Sequence, residues 1–530
     1  MMHAPYSRTL ADLLFEQADR YQDAPAVICG DRSVSYAQLA HRSLRVAAGL
    51  RAFGVRRGDR VGLLINNRLE WLESFFGAMI LGATVAAFST WSKRDELAWL
   101  LRDSGAGVLI ALDRFGDQDF AGDLQALLPS TGAGSSFPHI RHVILLGGRG
   151  FEPYATLAGS EPMERLPPGE GASPGDDAIV IYTSGSSSRP KAVPLAHYGI
   201  VENGFNIGER QGYQPGERVL LAPPLFWSFG SANAMAAVLT HGGTLVLQSR
   251  FEAGEAIALI ERHRCTALYT LPSITAAIVA HPGFSAGRVE TLRTGVTIGA
   301  PQDVITAATI LGAREICNVY GQTESYGNCC VTPHDWPLEQ RAQCQGPPLP
   351  GVRIRIVHPE TAAELPPGQD GLIEVQGYIL RGYQGSSASQ DEAVLTADGF
   401  FRTGDSGHFT EAGHLVFVGR VSEMIKKGGI NISPAEVEDI LMRHPAVAQA
   451  GVVGIPDAQQ GELLAAFVVL RSGHTSTPAE LVSHCRAVAS RYKVPDTIDI
   501  RETLPVTATG KLMRRELKQI AAGQDRTTAV

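Results

Sequence analysis

Residues 61–112 read VGLLINNRLEWLESFFGAMILGATVAAFSTWSKRDELAWLLRDSGAGVLIAL, and this stretch decides the fold. It opens on a short unbroken apolar run at 61–65, the pattern of a strand buried on both faces. A helical stretch over 68–81 and a second apolar run at 84–88 follow. Residues 95–103 then read as helix and 107–112 as a third strand. Strands and helices alternating at these lengths build a parallel sheet covered by helices. Upstream, Tyr36, Leu39, Ala40, Val46, Ala47, Leu50 and Phe53 recur at helical spacing and give one apolar face. Similar units recur around 218–221, 244–247 and 266–270. The expected fold class is therefore α/β, with several layered sheets in one large N-terminal domain.

Near residue 420 the texture changes. Ser433-Pro434-Ala435-Glu436 and Thr477-Pro478-Ala479-Glu480 each offer a hydroxyl, a proline at the first helical position and a glutamate at the third. That is the pattern of a capping box at a helix start. Apolar strands at 450–454 and 465–470 lie between them, which predicts a small α+β unit. The expected organisation is a domain over 1–418, a hinge at 419–422 and a C-terminal domain over 423–530.

The chain has 530 residues, too many for one core to serve, and its 44% hydrophobic and 19% charged content is that of a globular protein. A net charge of −8 argues against a nucleic-acid partner held through phosphates. Cofactor phosphates would have to be met by a local constellation. Seven scattered cysteines without a CxxC pair suggest reduced thiols in a cytoplasmic protein, and Cys329 and Cys330 read as small buried hydrophobes. No secretory signal is evident. The longest apolar run, 75–88, is too short to span a bilayer and reads as buried core.

The chemistry-bearing signals are local. Residues 182–191 read YTSGSSSRPK directly after an apolar strand at 178–181. A loop of this kind can aim N–H groups and the hydroxyls of Thr183, Ser184, Ser186, Ser187 and Ser188 at phosphate oxygens, with Gly185 permitting the turn and Lys191 adding a point charge. It is not a Walker loop, and taken alone it could be a polar surface loop. Residues 318–324 read NVYGQTE. There Tyr320 offers an aromatic plane for a base and Thr323 a hydroxyl for a phosphate. Glu324 offers a hard oxygen ligand for Mg²⁺, which ATP sites recruit through one or two carboxylates. In Arg402-Thr403-Gly404-Asp405 the carboxylate could accept from both ribose hydroxyls. Gly419-Arg420, Lys426-Lys427-Gly428-Gly429 and Thr507-Ala508-Thr509-Gly510-Lys511 complete the set. Each has a plain alternative as a turn or a solvated lysine; their co-occurrence is what is improbable.

In that order and combination the motifs resemble the superfamily of acyl-CoA synthetases, nonribosomal-peptide adenylation domains and firefly-type luciferases, over almost the whole chain. The family's phosphate loop usually reads YTSGTTGxPK, and its adenine-binding segment is matched by Ile298-Gly299-Ala300-Pro301. The resemblance implies ATP, Mg²⁺ and coenzyme A as cofactors and a small-molecule acid as substrate. Lys511, Thr323, Glu324 and Lys191 would then be catalytic, with Glu324 on the metal. The loop from Thr183 to Ser188, Gly299, Ala300, Pro301, Asn318, Tyr320, Gly321, Gln322, Asp405 and Arg420 would hold the nucleotide. Lys426, Gly428 and Gly429 would face the pantetheine, on a C-terminal domain that is mobile in this family. Trp227, Ser228, Gly230, Tyr326, Gly327 and Asn328, by proximity, would line the acid pocket. Three departures stand out: Ser188 for a usual glycine, Ser422 for a usual hinge aspartate, and Trp227 where a histidine or aromatic is common. The implied activity is an acyl- or aryl-CoA ligase. The alternatives are the same adenylation with a carrier-protein thiol or amine as acceptor, an unusual acid such as nitrite, or a non-catalytic homologue.

Overall fold

A computed structural model describes residues 4–129, 136–167, 170–183, 190–386, 394–427, 430–457, 460–489, 491–507 and 511–523. The run at 61–65 forms the strand Arg60–Leu64, flanked in parallel by Thr84–Ala87 and Val108–Ala111. These strands belong to a seven-stranded sheet that runs from Glu152–Pro153 to the antiparallel pair Asp177–Thr183 and Lys191–Ala196. A second, eight-stranded sheet holds Arg218–Leu221, Thr244–Leu247, Ala267–Tyr269, Thr294–Thr297 and Cys317–Tyr320 in parallel neighbourhood.

The helix Leu69–Ile80 shows why the two sheets stack. All its residues except Glu70 are buried, so it can sit only where protein covers every side. It packs on Tyr36–Ala52 and Leu10–Tyr21, and all three share one apolar core with strands of both large sheets. Ser35 caps Tyr36–Ala52 in a capping box with Gln38. The layered α/β expectation therefore holds, and the apolar stretch at 75–88 lies in the core.

A third sheet is antiparallel: Arg353–Val357, Gly371–Gln376, Phe401–Phe409 and Leu415–Arg420. It ends at Arg420, and the 3-10 turn Val421–Glu423 leads to Ile425–Lys427, the first strand of the C-terminal sheet. That sheet is centred on the long antiparallel pair Val447–Asp457 and Gly461–Leu470 and has its own core around Val437, Leu441, Val452, Leu464 and Leu481.

The helix Pro478–Val488 carries the expected capping box at Thr477. The helix Pro434–Met442 does not: Ser433 donates its hydroxyl to Val418 O at 2.6 Å, and Glu436 pairs with Lys493. The tertiary contact to the end of the third sheet outcompetes the local cap. All seven cysteines are free, and all but Cys29 are buried. Among the described residues no helix is long and apolar enough to cross a membrane.

Candidate active site

The third sheet brings Asp405 and Arg420 opposite each other in antiparallel register. Asp405 is buried and accepts hydrogen bonds from Tyr320 Oη (2.8 Å) and Gln322 Nε2 (2.6 Å), both on Oδ2. Its Oδ1 has no hydrogen-bond donor among the described residues and lies 3.3 Å from Arg420 Nε. Burial raises the Asp405 pKa above the ordinary aspartate value, against the pull of Arg420. A buried acceptor with one free oxygen suits a ligand hydroxyl. Tyr320 stacks on Phe417, with ring centroids 5.5 Å apart, so one face of its ring is already occupied.

Residues of the 182–191 and 318–324 motifs meet at the end of the seven-stranded sheet. Thr183 and Lys191 are register partners at the tip of the antiparallel pair; Ser184, Gly185, Ser186, Ser187 and Ser188 lie outside the described residues. Lys191 Nζ sits 4.7 Å from the centre of the Tyr383 ring. The Tyr383 hydroxyl donates to Glu324 Oε1 at 2.9 Å, and Leu380 N–H donates to the Glu324 carbonyl at 2.7 Å. Thr323 Oγ1 and Ser228 Oγ are 3.0 Å apart, which joins this region to the loop before the π-helical turn Phe229–Met235.

That loop is pinned by Asn67, a buried residue just beyond the strand Arg60–Leu64. Its amide donates to Leu221 O and Pro223 O, and its Oδ1 accepts from Leu225 N–H at 2.7 Å. Trp227 follows, half-buried, with its ring set edge-on to Trp91 at 5.0 Å. Both line a cavity of about 690 Å³ together with Phe251, Arg250, Val506 and Thr507. Val506 and Thr507 come from the C-terminal unit, so in this conformation that unit forms part of the cavity wall.

Lys511 is brought near Arg420, Asp405 and Glu423. Thr507 and Lys511 hydrogen bond to each other (2.7 and 3.1 Å), which closes the loop ends; Ala508, Thr509 and Gly510 lie outside the described residues. Arg514, three residues on, ties this segment to Glu423 in the connecting turn (2.9 Å) and to Glu438. Lys511 keeps solvent access, yet surrounding protein lowers its ammonium pKa; Arg420 lowers it further, while Glu423 and Asp405 oppose the shift. Lys511, from the C-terminal unit, is thus brought to Arg420 and Asp405, which face each other on adjacent strands of the third sheet.

At the adenine-motif segment, Asp303 accepts from Ala300 N–H at 2.9 Å, and Pro301 opens the helix Pro301–Thr309. Gly299 has φ +151°, and a Cβ there would lie 2.5 Å from Asp303 Oδ2. Burial pushes Asp303 up to about 6, with Asp439 of the C-terminal unit adding to the shift. A Cβ on Gly321 would meet Gly327 O at 2.3 Å, so Gly321 lets these two backbone segments touch.

Some sequence candidates face elsewhere. The Asn318 amide is spent on Cys344 O and its Oδ1 on Val319 N–H, inside the core. Tyr326 has φ +58° and is buried with its hydroxyl accepting from Ala196 N–H, away from the cavity. Gly230 permits close packing on Pro224, and Gly327 on the Asn233 amide. Asn328 O accepts from Asn203, which fixes the backbone there. Lys426 is exposed on the hairpin Ile425–Lys427/Ile430–Ile432, while Lys427 pairs with Asp496; Gly428 and Gly429 lie outside the described residues.

The sequence reading did not single out Asn67, Trp91, Phe417 or Tyr383. Asn67 carried a usable signal: it follows the carboxyl end of a parallel strand, where α/β sheets place their ligand loops. Among the described residues no cluster of three or more His, Cys, Asp or Glu could hold a metal. A single carboxylate, Glu324, with Tyr383 as the hydrogen-bond donor to its side chain, fits a Mg²⁺ ion that arrives with nucleotide phosphates better than a resident ion.

The family model described as AMP-binding enzyme matches residues 14–384, and that of the AMP-binding enzyme C-terminal domain matches 436–511. A putative acyl-CoA synthetase, YngI, of Bacillus subtilis (strain 168) is 30% identical over 96% of this chain and 96% of its own length. A feruloyl-CoA synthase of an Amycolatopsis species is 32% identical over 94% of this chain and 96% of its own. Among solved structures, the anthranilate CoA ligase AuaEII in complex with anthranoyl-AMP superposes with a TM-score of 0.87 at 26% identity, covering 98% of this chain and 99% of that one.

Proposed function

The chain belongs to the AMP-binding enzymes of the adenylate-forming superfamily, and from that membership we infer that it is an AMP-forming acid–coenzyme A ligase. The observation that carries the reading is the gathering of Asp405, Arg420 and Lys511, with Gln322 of the 318–324 motif bonded to Asp405 and Glu324 of the same motif linked to Lys191 through Tyr383.

The substrate carboxylate attacks the α-phosphorus of ATP, the bond to the β-phosphate oxygen breaks, and pyrophosphate leaves. The product is a mixed acyl–phosphate anhydride. Both reactants are anions, so the protein's task is positioning and charge neutralisation. Asp405 accepts from the ribose through its free oxygen, and Arg420 lies alongside. Lys511 reaches the carboxylate and α-phosphate. Lys191, with Thr183 and the loop through Ser188, steadies the departing pyrophosphate. Glu324 would hold Mg²⁺, which when bound neutralises phosphate charge. In the second step the coenzyme A thiol, losing its proton, attacks the acyl carbon; the carbon–oxygen bond to AMP breaks and AMP leaves.

Val506 and Thr507 occupy the cavity wall beside Trp227, so thiol access calls for the C-terminal unit to withdraw. The turn Val421–Glu423 between the third and fourth sheets is the place for that rotation, with 1–418 and 423–530 as the moving bodies. The hairpin carrying Lys426, Gly428 and Gly429 would then face the pantetheine. Trp227, braced edge-on by Trp91, favours a short or flat aromatic acid over a long chain. The reduced, buried cysteines support a cytoplasmic location, and the net charge of −8 speaks against a nucleic-acid partner.

Acid-dependent ATP–pyrophosphate exchange, run across aliphatic, aromatic and inorganic acids and repeated with coenzyme A for product formation, tests the reading. Exchange without any acyl-CoA product would overturn the acceptor; no exchange with any acid would overturn the activity.

A further inference from the structure

We propose that Tyr383 is a positioning residue that keeps Lys191 and Glu324 apart and aimed, so that both are available to the phosphates and their metal. The inference rests on the roles given to Lys191 and Glu324 above.

The two side chains carry opposite charge and touch the same tyrosine, one at its ring and the other at its hydroxyl. The Lys191 ammonium sits 4.7 Å from the ring centre, where the negative face of the π-system attracts it. The hydroxyl at the far end of the ring donates to Glu324 Oε1 at 2.9 Å. The tyrosine is itself held at several points. Gln384 N–H donates to Ala192 O at 3.0 Å, next to Lys191, and Gln384 Nε2 to Asp103 O at 2.6 Å. Leu380 N–H donates to the Glu324 carbonyl at 2.7 Å, and Arg381 pairs with Asp177 at 2.7 Å. The segment around Tyr383 is thus strapped to the backbone of Glu324 and to that of Ala192, the neighbour of Lys191.

Without the ring, a lysine and a glutamate drawn to the same side chain are free to form a direct ion pair. That pair would satisfy each charge before any ligand came and would have to break for ATP to bind. A cation–π contact and a single hydroxyl bond hold the same groups more loosely, and the hydroxyl occupies only one carboxylate oxygen. Donors to a metal-binding carboxylate fix its orientation, and losing such a donor typically weakens metal binding by roughly tenfold or more.

The test is calorimetric titration of ATP into the full-length chain over a series of Mg²⁺ concentrations, with no acid present. Binding of Mn²⁺ in the presence of ATP is followed in parallel by its EPR signal. Tyr383→Phe keeps the ring and removes the hydroxyl; it is expected to raise the half-saturating Mg²⁺ roughly tenfold while leaving metal-free ATP binding unchanged. Tyr383→Leu removes both contacts and is expected to weaken metal-free ATP binding as well. Glu324→Gln is the control for the underlying site. If Glu324→Gln shifts the metal dependence and Tyr383→Phe does not, the positioning role is wrong. If neither shifts it, the metal role of Glu324 is what fails. A uniform fall in ATP affinity and melting temperature in both tyrosine variants, with the metal dependence intact, would reduce Tyr383 to a packing residue and overturn the proposal.

Discussion

Replacing Asp405 with asparagine separates what this carboxylate does for ligand binding from what it does for the fold. Asp405 is buried and accepts from Tyr320 and Gln322 on one oxygen, while the other lies beside Arg420 without a hydrogen-bond donor among the described residues. A hydrogen bond to a charged group contributes about 1.5–3 kcal/mol. At about 1.4 kcal/mol per tenfold, loss of the charge should weaken ATP binding by roughly ten- to a hundredfold. The effect on stability has the opposite sign. Burial raises the folded-state pKa above the ordinary aspartate value, so this group favours the fold when protonated. Its contribution is fully present below the unfolded pKa and is lost as pH rises through the raised folded pKa. A carboxylate ionised in this buried position is a burden on the native state, and the asparagine can still accept from Tyr320 and Gln322. The variant is therefore expected to bind ATP poorly yet melt at the same temperature as the parent or higher. Calorimetric ATP titration and ligand-free thermal unfolding at pH 4 to 8 measure both quantities. Unchanged ATP affinity, or a melting temperature lower by several degrees at pH 7, would refute the reasoning.

Lys511→Ala is expected to lower acid-dependent pyrophosphate exchange by roughly 10²–10³-fold, the usual loss for one transition-state charge partner, while thiolysis of a supplied acyl-adenylate continues; equal loss in both assays would contradict the role. Because burial and Arg420 lower the Lys511 pKa, exchange in the parent should decline with rising pH before the ordinary lysine range is reached. Trp227→Ala removes an edge-on contact with Trp91 worth about 0.5–1.5 kcal/mol and opens the cavity wall. The exchange profile across an acid panel should shift toward bulkier acids, and an unchanged profile would dismiss Trp227 as a size filter. Asp303, raised to about 6, loses its favourable contribution as pH climbs from the ordinary aspartate value through 6. Asp303→Asn should therefore gain melting temperature over the parent progressively across pH 4 to 7, and parallel pH curves for the two proteins would refute it.

Local pattern made much of this protein readable before its structure. The alternation in residues 61–112 gives strands and helices within a residue or two of those observed, because burial on both faces leaves an unbroken apolar run. Thr477 caps its helix as read, since that cap is complete within four residues. Ser433 carries the same signal and fails, because Val418, distant in sequence, captures its hydroxyl. Asn318 and Tyr320 sit two apart on one strand, yet the first is consumed in the core and the second reaches Asp405. Tyr326 is turned away from the cavity by a left-handed backbone that a tyrosine seldom adopts.

By itself, then, the sequence determined the layered architecture, the separate C-terminal unit and the short motifs that name the chemistry, because each rests on interactions within a few residues. Only the tertiary structure decided which motif residues come together, that Tyr383 touches both Lys191 and Glu324, and that Lys511 lies in the electrostatic surroundings of Asp405 and Arg420. Those contacts join residues about 60 to 190 positions apart. Periodicity fixes which face of its own element a side chain occupies, but sheet packing and chain crossovers decide which other face it meets.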